Sequence, residues 1–277
     1  MLLRPSFHKT IPISLLSAAL AMTGSAVSQT PAAQGDTPEA QKGYEVALKS
    51  DKSDEGFGDS RVTARMVLTN RAGQETTRNF SFSTLEKEND EVGDKSLIVF
   101  ESPRDVEGTA LLSHAKILDP DDQWLFLPAL KRVKRISSSN KSGSFVGSEF
   151  AFEDFTITEL NKYTYNYVGE EEHDGVMNDV VERFPRYENS GYTKQKSWTD
   201  QEIYQARKVE FYDRKGGLFK TLYLSDYRDY DGIWRAHTLK MVNAQTGKET
   251  VLAYDDFEFK TGLDSNDFEQ GILTRLR

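Results

Sequence analysis

From residue 61 onward the chain alternates apolar and polar side chains with a period of two. In Arg61–Thr69, Val62, Ala64, Met66 and Leu68 share one face, while Arg61, Thr63, Arg65 and Thr69 share the other. That is the pattern of a half-buried strand, and Asn70-Arg-Ala-Gly73 after it reads as a turn. Comparable strands are predicted over residues 76–84, 95–101, 110–118, 122–128, 163–168, 177–187, 193–199, 207–213, 218–225, 234–243 and 249–259. Asp174-Gly175, Lys215-Gly-Gly217, Asp231-Gly232 and Thr246-Gly247 punctuate many of them with turn chemistry. The result is about a dozen strands at the spacing of a sandwich or barrel. Twelve tyrosines and sixteen phenylalanines suit that strand content.

Helical patterning is sparse. Asp36 or Thr37 can cap a helix that has Pro38 in its first turn and Ala40, Tyr44, Ala47 and Leu48 on one face. Residues 148–155 form a second candidate, although the Phe-x-Phe alternation there also fits a strand. A third, short helix is expected near Ser265, with Phe268, Ile272 and Leu276 at helical spacing. An antiparallel sheet of about a dozen strands curls or splits into two layers. If it curls around an apolar face that only two or three helices cover, an oily cavity results.

The first residues bear on compartment. Arg4 and Lys9 precede an apolar stretch from Ile11 to Met22, and Ala26-Val-Ser28 offers a small-x-small cleavage site. Residues 1–28 therefore read as a cleavable signal peptide, with a retained anchor as the alternative. Residues 29–37 read as a flexible mature N-terminus and 38–277 as a single domain. Cleavage removes two positive charges and takes the formal charge from −9 to −11. So acidic a chain is an unlikely partner for nucleic acid, which needs a basic face on the scale of a domain. There is no cysteine, and an exported chain without disulfides points to the bacterial periplasm.

One stretch departs from the acidic background. Asp121–Ile136 sets Trp124, Leu125, Phe126, Leu127 and Leu130 directly against Lys131, Arg132, Lys134 and Arg135, and Phe145, Phe150 and Phe152 follow. Apolar surface beside cations suits a ligand with a hydrocarbon tail and an anionic head. Trp124, Phe126, Leu127, Leu130, Phe145, Phe150 and Phe152 are the candidate lipid-binding residues, and the four cations are candidate anion or partner contacts. The bland alternatives are an ordinary core strand and a solvated face or blunted edge strand. Residues 137–143 read as a loop, passive or acting as a lid.

Nothing in the chain assembles a catalytic constellation. His114, His173 and His237 are spread without metal-ligand spacing. Gly143-Ser-Phe-Val-Gly147 has its serine in the wrong place for a nucleophile elbow. Asp226–Gly232 fails as a calcium loop, because Tyr227 and Thr238 stand where carboxylates belong. Neither enzyme activity nor a metal or cofactor is expected. Tyr163, Tyr165 and Tyr167, read as exposed, leave a glycan-binding β-protein as a minor alternative.

Gly108-Thr-Ala-Leu-Leu112, Trp124–Ile136, Ser144–Phe150 and Phe152-Glu-Asp154 closely resemble the LolA-like periplasmic proteins that sort lipoproteins to the outer membrane. The match is nearest to the branch found beside transporters of the resistance-nodulation-division type. The resemblance implies a mainly β fold like LolA and LolB: an unclosed, half β-barrel of curved antiparallel sheet covered by a few helices. It also implies a carrier that shelters acyl chains of a lipoprotein or lipid between the membranes. The implied partners are an inner-membrane transporter of that type and an outer-membrane acceptor. A docking or regulatory subunit of the transporter, carrying nothing, is the alternative. Carriage requires a vacant apolar hollow inside the sheet.

Overall fold

Alternation and tight turns build one continuous sheet in the computed structural model, which describes residues 35–87, 92–116, 119–156 and 159–276. The leader expected over residues 1–28 lies outside the described residues, as do residues 29–34 of the expected flexible segment. The strands are β1 (Asp59–Thr69), β2 (Glu75–Leu85), β3 (Val92–Ser102), β4 (Ala110–Lys116), β5 (Asp122–Leu127), β6 (Arg132–Arg135) and β7 (Tyr163–His173). After them come β8 (Val176–Pro185), β9 (Lys194–Asp200), β10 (Ala206–Tyr212), β11 (Leu218–Tyr230), β12 (Ile233–Asn243), β13 (Glu249–Tyr254) and β14 (Glu258–Phe259). Asp174-Gly175 and Asp231-Gly232 take left-handed φ values at both residues. That twist closes a two-residue hairpin, so β7–β8 and β11–β12 are tight pairs.

The strand order is β6-β5-β4-β3-β2-β1-β13-β12-β11-β10-β9-β8-β7, with β14 also pairing with β1. The pairing is antiparallel, and β6 and β7 stand at the two ends, so the sheet does not close into a barrel. One strand differs from expectation. The segment 249–259 breaks in two, its last residues crossing to β1. The four-residue β6 is an edge strand, the alternative that the sequence left open for its cation cluster.

The sheet must curl strongly. Leu111 on β4 and Val209 on β10 are seven places apart in the strand order, which in a flat sheet means roughly 30 Å or more. Gln123 on β5 and Lys220 on β11 are likewise seven places apart. Yet they bond the Phe152 carbonyl at 2.8 Å and the Asp154 carboxylate at 2.6 Å, two residues apart in one segment. Leu111 and Val209 share a buried cluster with Met66, Phe80, Phe100, Phe211, Met241 and Leu252. Phe145, Phe150 and Phe155 belong to the same cluster. They come from residues 136–162, the connection between the two edge strands. A chain that leaves one edge of a curled sheet and enters at the other must cross the hollow face, and its phenylalanines fill that space.

Two smaller layers cover what remains. The helix α1 (Pro38–Ser53) starts as expected, with Thr37 accepting the Ala40 N–H at 3.1 Å. Its Tyr44 and Val46 pack on Tyr163 and Tyr165 of β7 and Val181 of β8. Tyr163 and Tyr165, expected to be exposed, are each 6% exposed because this helix covers them. The C-terminal segment forms two 3-10 turns, Ser265–Phe268 and Gln270–Thr274, in place of a helix. Phe268 and Leu273, rather than Ile272, enter the cluster of Leu97, Ala110, Leu112 and Phe126 on the other face of β3–β5. Likewise, residues 148–155 give only a 3-10 turn at Phe152–Phe155, where the Asp154 carboxylate accepts the Ala151 N–H at 2.7 Å.

Candidate functional site

Period two divides the aromatic run of β5 between the sheet's two faces. Trp124 and Phe126 point to the face closed by the C-terminal turns. There His114 meets the Trp124 ring edge-on at 5.0 Å and donates from Nε2 to the Phe268 carbonyl at 2.7 Å. Leu125 points to the opposite, hollow face and packs on the main cluster. Phe145 lies on that face too, fully buried, with Phe155, Phe152 and Phe100 ring centres at 4.6, 5.6 and 5.7 Å. Phe150 is buried beside them and Phe152 is half-buried. Leu127 is half-buried, and Leu130, on the turn Pro128–Leu130, is 63% exposed. The seven residues proposed from sequence therefore do not form one lining.

The cations divide as well. Arg135 pairs with Asp122, whose other oxygen holds Lys116 at 2.8 Å. Lys131, Arg132 and Lys134 are exposed and without an ion-pair partner among the described residues. Lys131 and, on the edge strand β6, Arg132 and Lys134 thus present three positive charges unpaired among the described residues, with Leu130 beside them.

The connection between β6 and β7 is tied down at several of its described residues. Lys141, 7% exposed, donates to the Asp121 carbonyl at 2.6 Å, and Lys162, 6% exposed, pairs with the Asp121 carboxylate. Residues 137–143 are thus pinned at Lys141 rather than free along their length. Gln123 donates to the Phe152 carbonyl at 2.8 Å, and Arg78 donates to the Val146 carbonyl. The Lys220 ammonium reaches Asp154 at 2.6 Å and the Glu149 carbonyl at 2.9 Å.

One hollow remains. Where α1 bridges from the ends of β2 and β3 to β7–β9, a cavity of about 300 Å³ opens, at the lower end of the roughly 300–1,000 Å³ of ligand pockets. Val46, Ala47, Phe57, Leu160, Tyr165 and Val181 give it an apolar wall. Asp51, Asp54, Glu55, Glu86, Asp94 and Glu159 give it an acidic one, with Lys87 and Arg183 as its cations. Burial pushes the carboxyl groups of Asp51, Asp54 and Glu159 upward, and that of Asp94 up to about 7. No sequence motif announced this wall, because its members come from separate segments. The one local signal was Asp51 and Asp54, three apart at the end of α1.

A family model described as an uncharacterized protein matches residues 93–275. An outer membrane lipoprotein-sorting protein domain from Vibrio parahaemolyticus is 51% identical over 85% of this chain and 100% of its own, with a TM-score of 0.83. The chain belongs to the LolA-like outer-membrane lipoprotein-sorting family. A DUF1329 family protein from Desulfovibrio piger, 32% identical over 86% of this chain and all of its own, superposes with a TM-score of 0.81. The fold is shared more widely. A LolA superfamily protein from Nitrosomonas europaea, 21% identical over 85% of this chain and all of its own, still gives a TM-score of 0.65. No curated protein matches. In this LolA-like protein the α1 cavity joins an apolar wall to a space of ligand size, while Phe145, Phe150 and Phe155 occupy the deeper interior.

Proposed function

We propose that this LolA-like protein is a periplasmic carrier, exported by a cleaved signal peptide, that shelters part of an acyl chain of a lipoprotein or lipid in the cavity beneath α1. The apolar wall of that cavity, built by Val46, Ala47, Phe57 and Val181, carries the reading. Burying a methylene is worth about 0.8 kcal/mol, so a chain of about 15 methylenes is held in a membrane by about 12 kcal/mol. A soluble apolar wall lowers that barrier without any covalent chemistry. In this reading Trp124, Phe126, Leu127, Phe145, Phe150 and Phe152 pack elsewhere on the sheet and support the fold rather than line the cavity. Leu130 and the cations Lys131, Arg132, Lys134 and Arg135 meet an inner-membrane transporter of the resistance-nodulation-division type or the anionic headgroups around it. An outer-membrane acceptor completes the route.

The test is saturable binding of a fluorescent fatty acid, with mass spectrometry of lipids extracted from the purified protein. Ala47→Trp, which fills the hollow, abolishes binding while the melting temperature holds. Binding that survives Ala47→Trp places the cargo elsewhere, and no binding by the native protein removes the carrier reading. A second reading, a docking subunit that carries nothing, is favoured by Lys131, Arg132 and Lys134, exposed and unpaired among the described residues. It predicts transporter binding with an empty cavity.

A further inference from the structure

The acidic wall of the α1 cavity is out of keeping with a site for hydrocarbon alone. Three of its carboxylates have partners of their own. Glu86 accepts the N–H groups of Gly56 and Gly58 at 2.6 and 2.7 Å, Asp94 accepts that of Lys87 at 2.8 Å, and Asp54 pairs with Arg235. Glu159 does not. It is 6% exposed, it lines the cavity, and its carboxylate receives no hydrogen bond among the described residues. A buried carboxylate without a donor is costly, and proteins keep such groups paired or give them a ligand.

The two cations of the wall do not answer it. Arg183 donates to Gln195 at 2.7 Å and lies over the Tyr163 ring at 4.9 Å, so it faces its own strand neighbours. Lys87 feels the attraction of Asp51, Glu159, Glu55 and Asp94 but makes no ion pair with any of them among the described residues. The wall therefore carries six acidic side chains, of which Asp54 is paired with Arg235, against Lys87 and Arg183, across from Val46, Ala47, Phe57 and Val181. An anionic head entering here meets like charge. A cationic head meets Glu159, with its hydrocarbon laid on the apolar wall.

We infer that the cavity recognises an ammonium group joined to hydrocarbon, an amine-bearing amphiphile whose nitrogen is received by Glu159. This rests on the carrier reading for the place of the hydrocarbon, but it reverses the anionic head that the cationic β6 segment suggested. That segment lies outside the cavity lining. The ammonium donates to the Glu159 carboxylate, and the charges of Asp51 and Glu55 add longer-range attraction. The same chemistry comes from a simple alkylamine or from the amino headgroup of a phospholipid.

Calorimetric titration of the native protein at neutral pH with dodecylamine and with dodecanoate tests this without any variant. Dodecylamine is expected to bind about tenfold more tightly or better, the size of one hydrogen bond to a charged group. Glu159→Gln is expected to remove that preference by weakening dodecylamine binding about tenfold and, with one like charge gone, by strengthening that of dodecanoate. Lysophosphatidylethanolamine preferred over lysophosphatidylglycerol identifies the lipid headgroup as the source, and no preference between them leaves the simple amine. Dodecanoate bound as tightly as dodecylamine overturns the inference and leaves the carrier reading standing. Binding of neither overturns both. A preference for dodecylamine that survives Glu159→Gln overturns the role of Glu159.

Discussion

Lys220 of β11 and Asp154 of the crossing segment form an ion pair at 2.6 Å in which the lysine side chain is 1% exposed and the aspartate 7%. The Tyr192 hydroxyl donates to the second oxygen of Asp154 at 2.7 Å. The pair fastens the crossing segment, with Phe145, Phe150 and Phe155, to the far half of the sheet. Removing one member of a buried pair strands the other charge, which costs about 3–5 kcal/mol. Lys220→Met is expected to lose that much in guanidinium denaturation, and Asp154→Asn a similar amount. A loss below about 1 kcal/mol means the phenylalanines alone hold the segment.

Phe145 supplies a second test. It is fully buried among three rings of the same interior. Phe145→Ala is therefore expected to cost about 3–5 kcal/mol. It is also expected to leave fatty-acid binding intact under folded conditions, because the residue does not line the α1 cavity. A fall in acyl affinity without loss of stability returns the cargo to the aromatic interior.

Much of this architecture was readable from residues near one another. Val62, Ala64 and Met66 alternate in sequence and are buried in alternation on β1. Thr37 and Pro38 start α1 where their side-chain chemistry demands. The rest depended on distant partners. Tyr163 and Tyr165 look like surface aromatics until α1, more than a hundred residues earlier, covers them. Strand β6 shows no alternation to read, since its three cations flank the single apolar Val133, and its pairing with Trp124–Leu127 alone makes it a strand. The acidic wall was the least legible: Asp51, Glu86, Asp94 and Glu159 look like ordinary surface charges until the curl of the sheet brings four segments together.

Gly43 marks how closely α1 approaches the sheet. A Cβ there would stand 2.9 Å from the Tyr167 backbone nitrogen and 3.1 Å from two Asn166 backbone atoms. Neither neighbour is a side chain that can swing away. Alanine favours a helix interior over glycine by about 1 kcal/mol, yet Gly43→Ala is expected to lower stability by about 1–3 kcal/mol. It should also weaken ligand binding, because α1 roofs the cavity. A thermal melt that rises instead shows that the helix can lift from β7 without cost.

Stability should also depend on pH through Asp94. Burial, with the nearby charges of Glu159, Asp54 and Glu86, pushes its carboxyl up to about 7 against the opposing hydrogen bond from Lys87 N–H. In the unfolded chain it titrates near the ordinary value of about 3.9. The folded form therefore holds the extra proton between those values. The stabilisation is complete below about pH 4 and is lost as pH rises through about 7. Glu153, also pushed up to about 7 by burial and by Asp154, acts in the same direction. Denaturation midpoints are expected to fall from pH 5 to pH 8, and Asp94→Asn should flatten part of that slope. A slope unchanged in the variant would show that Asp94 titrates normally in the folded protein.

Lys131, Arg132 and Lys134 make the last prediction, because the same three charges have a mundane use. A cationic edge strand repels its own copy and so discourages edge-to-edge aggregation. That role requires no partner, whereas docking does. Lys131, Arg132 and Lys134 are exposed and unpaired among the described residues, while Val133 and Arg135 retain their contacts with the sheet. Reversing the three together, Lys131→Glu, Arg132→Glu and Lys134→Glu, should therefore move stability by no more than about 0.5 kcal/mol per substitution. Each cation near an anionic membrane surface contributes about 1 kcal/mol, and reversal adds repulsion, so binding to anionic vesicles or to the transporter should weaken by more than about a hundredfold. Native binding should fall with salt as surface charge is screened. Binding that ignores both the reversal and the salt leaves these cations the edge-protecting role alone.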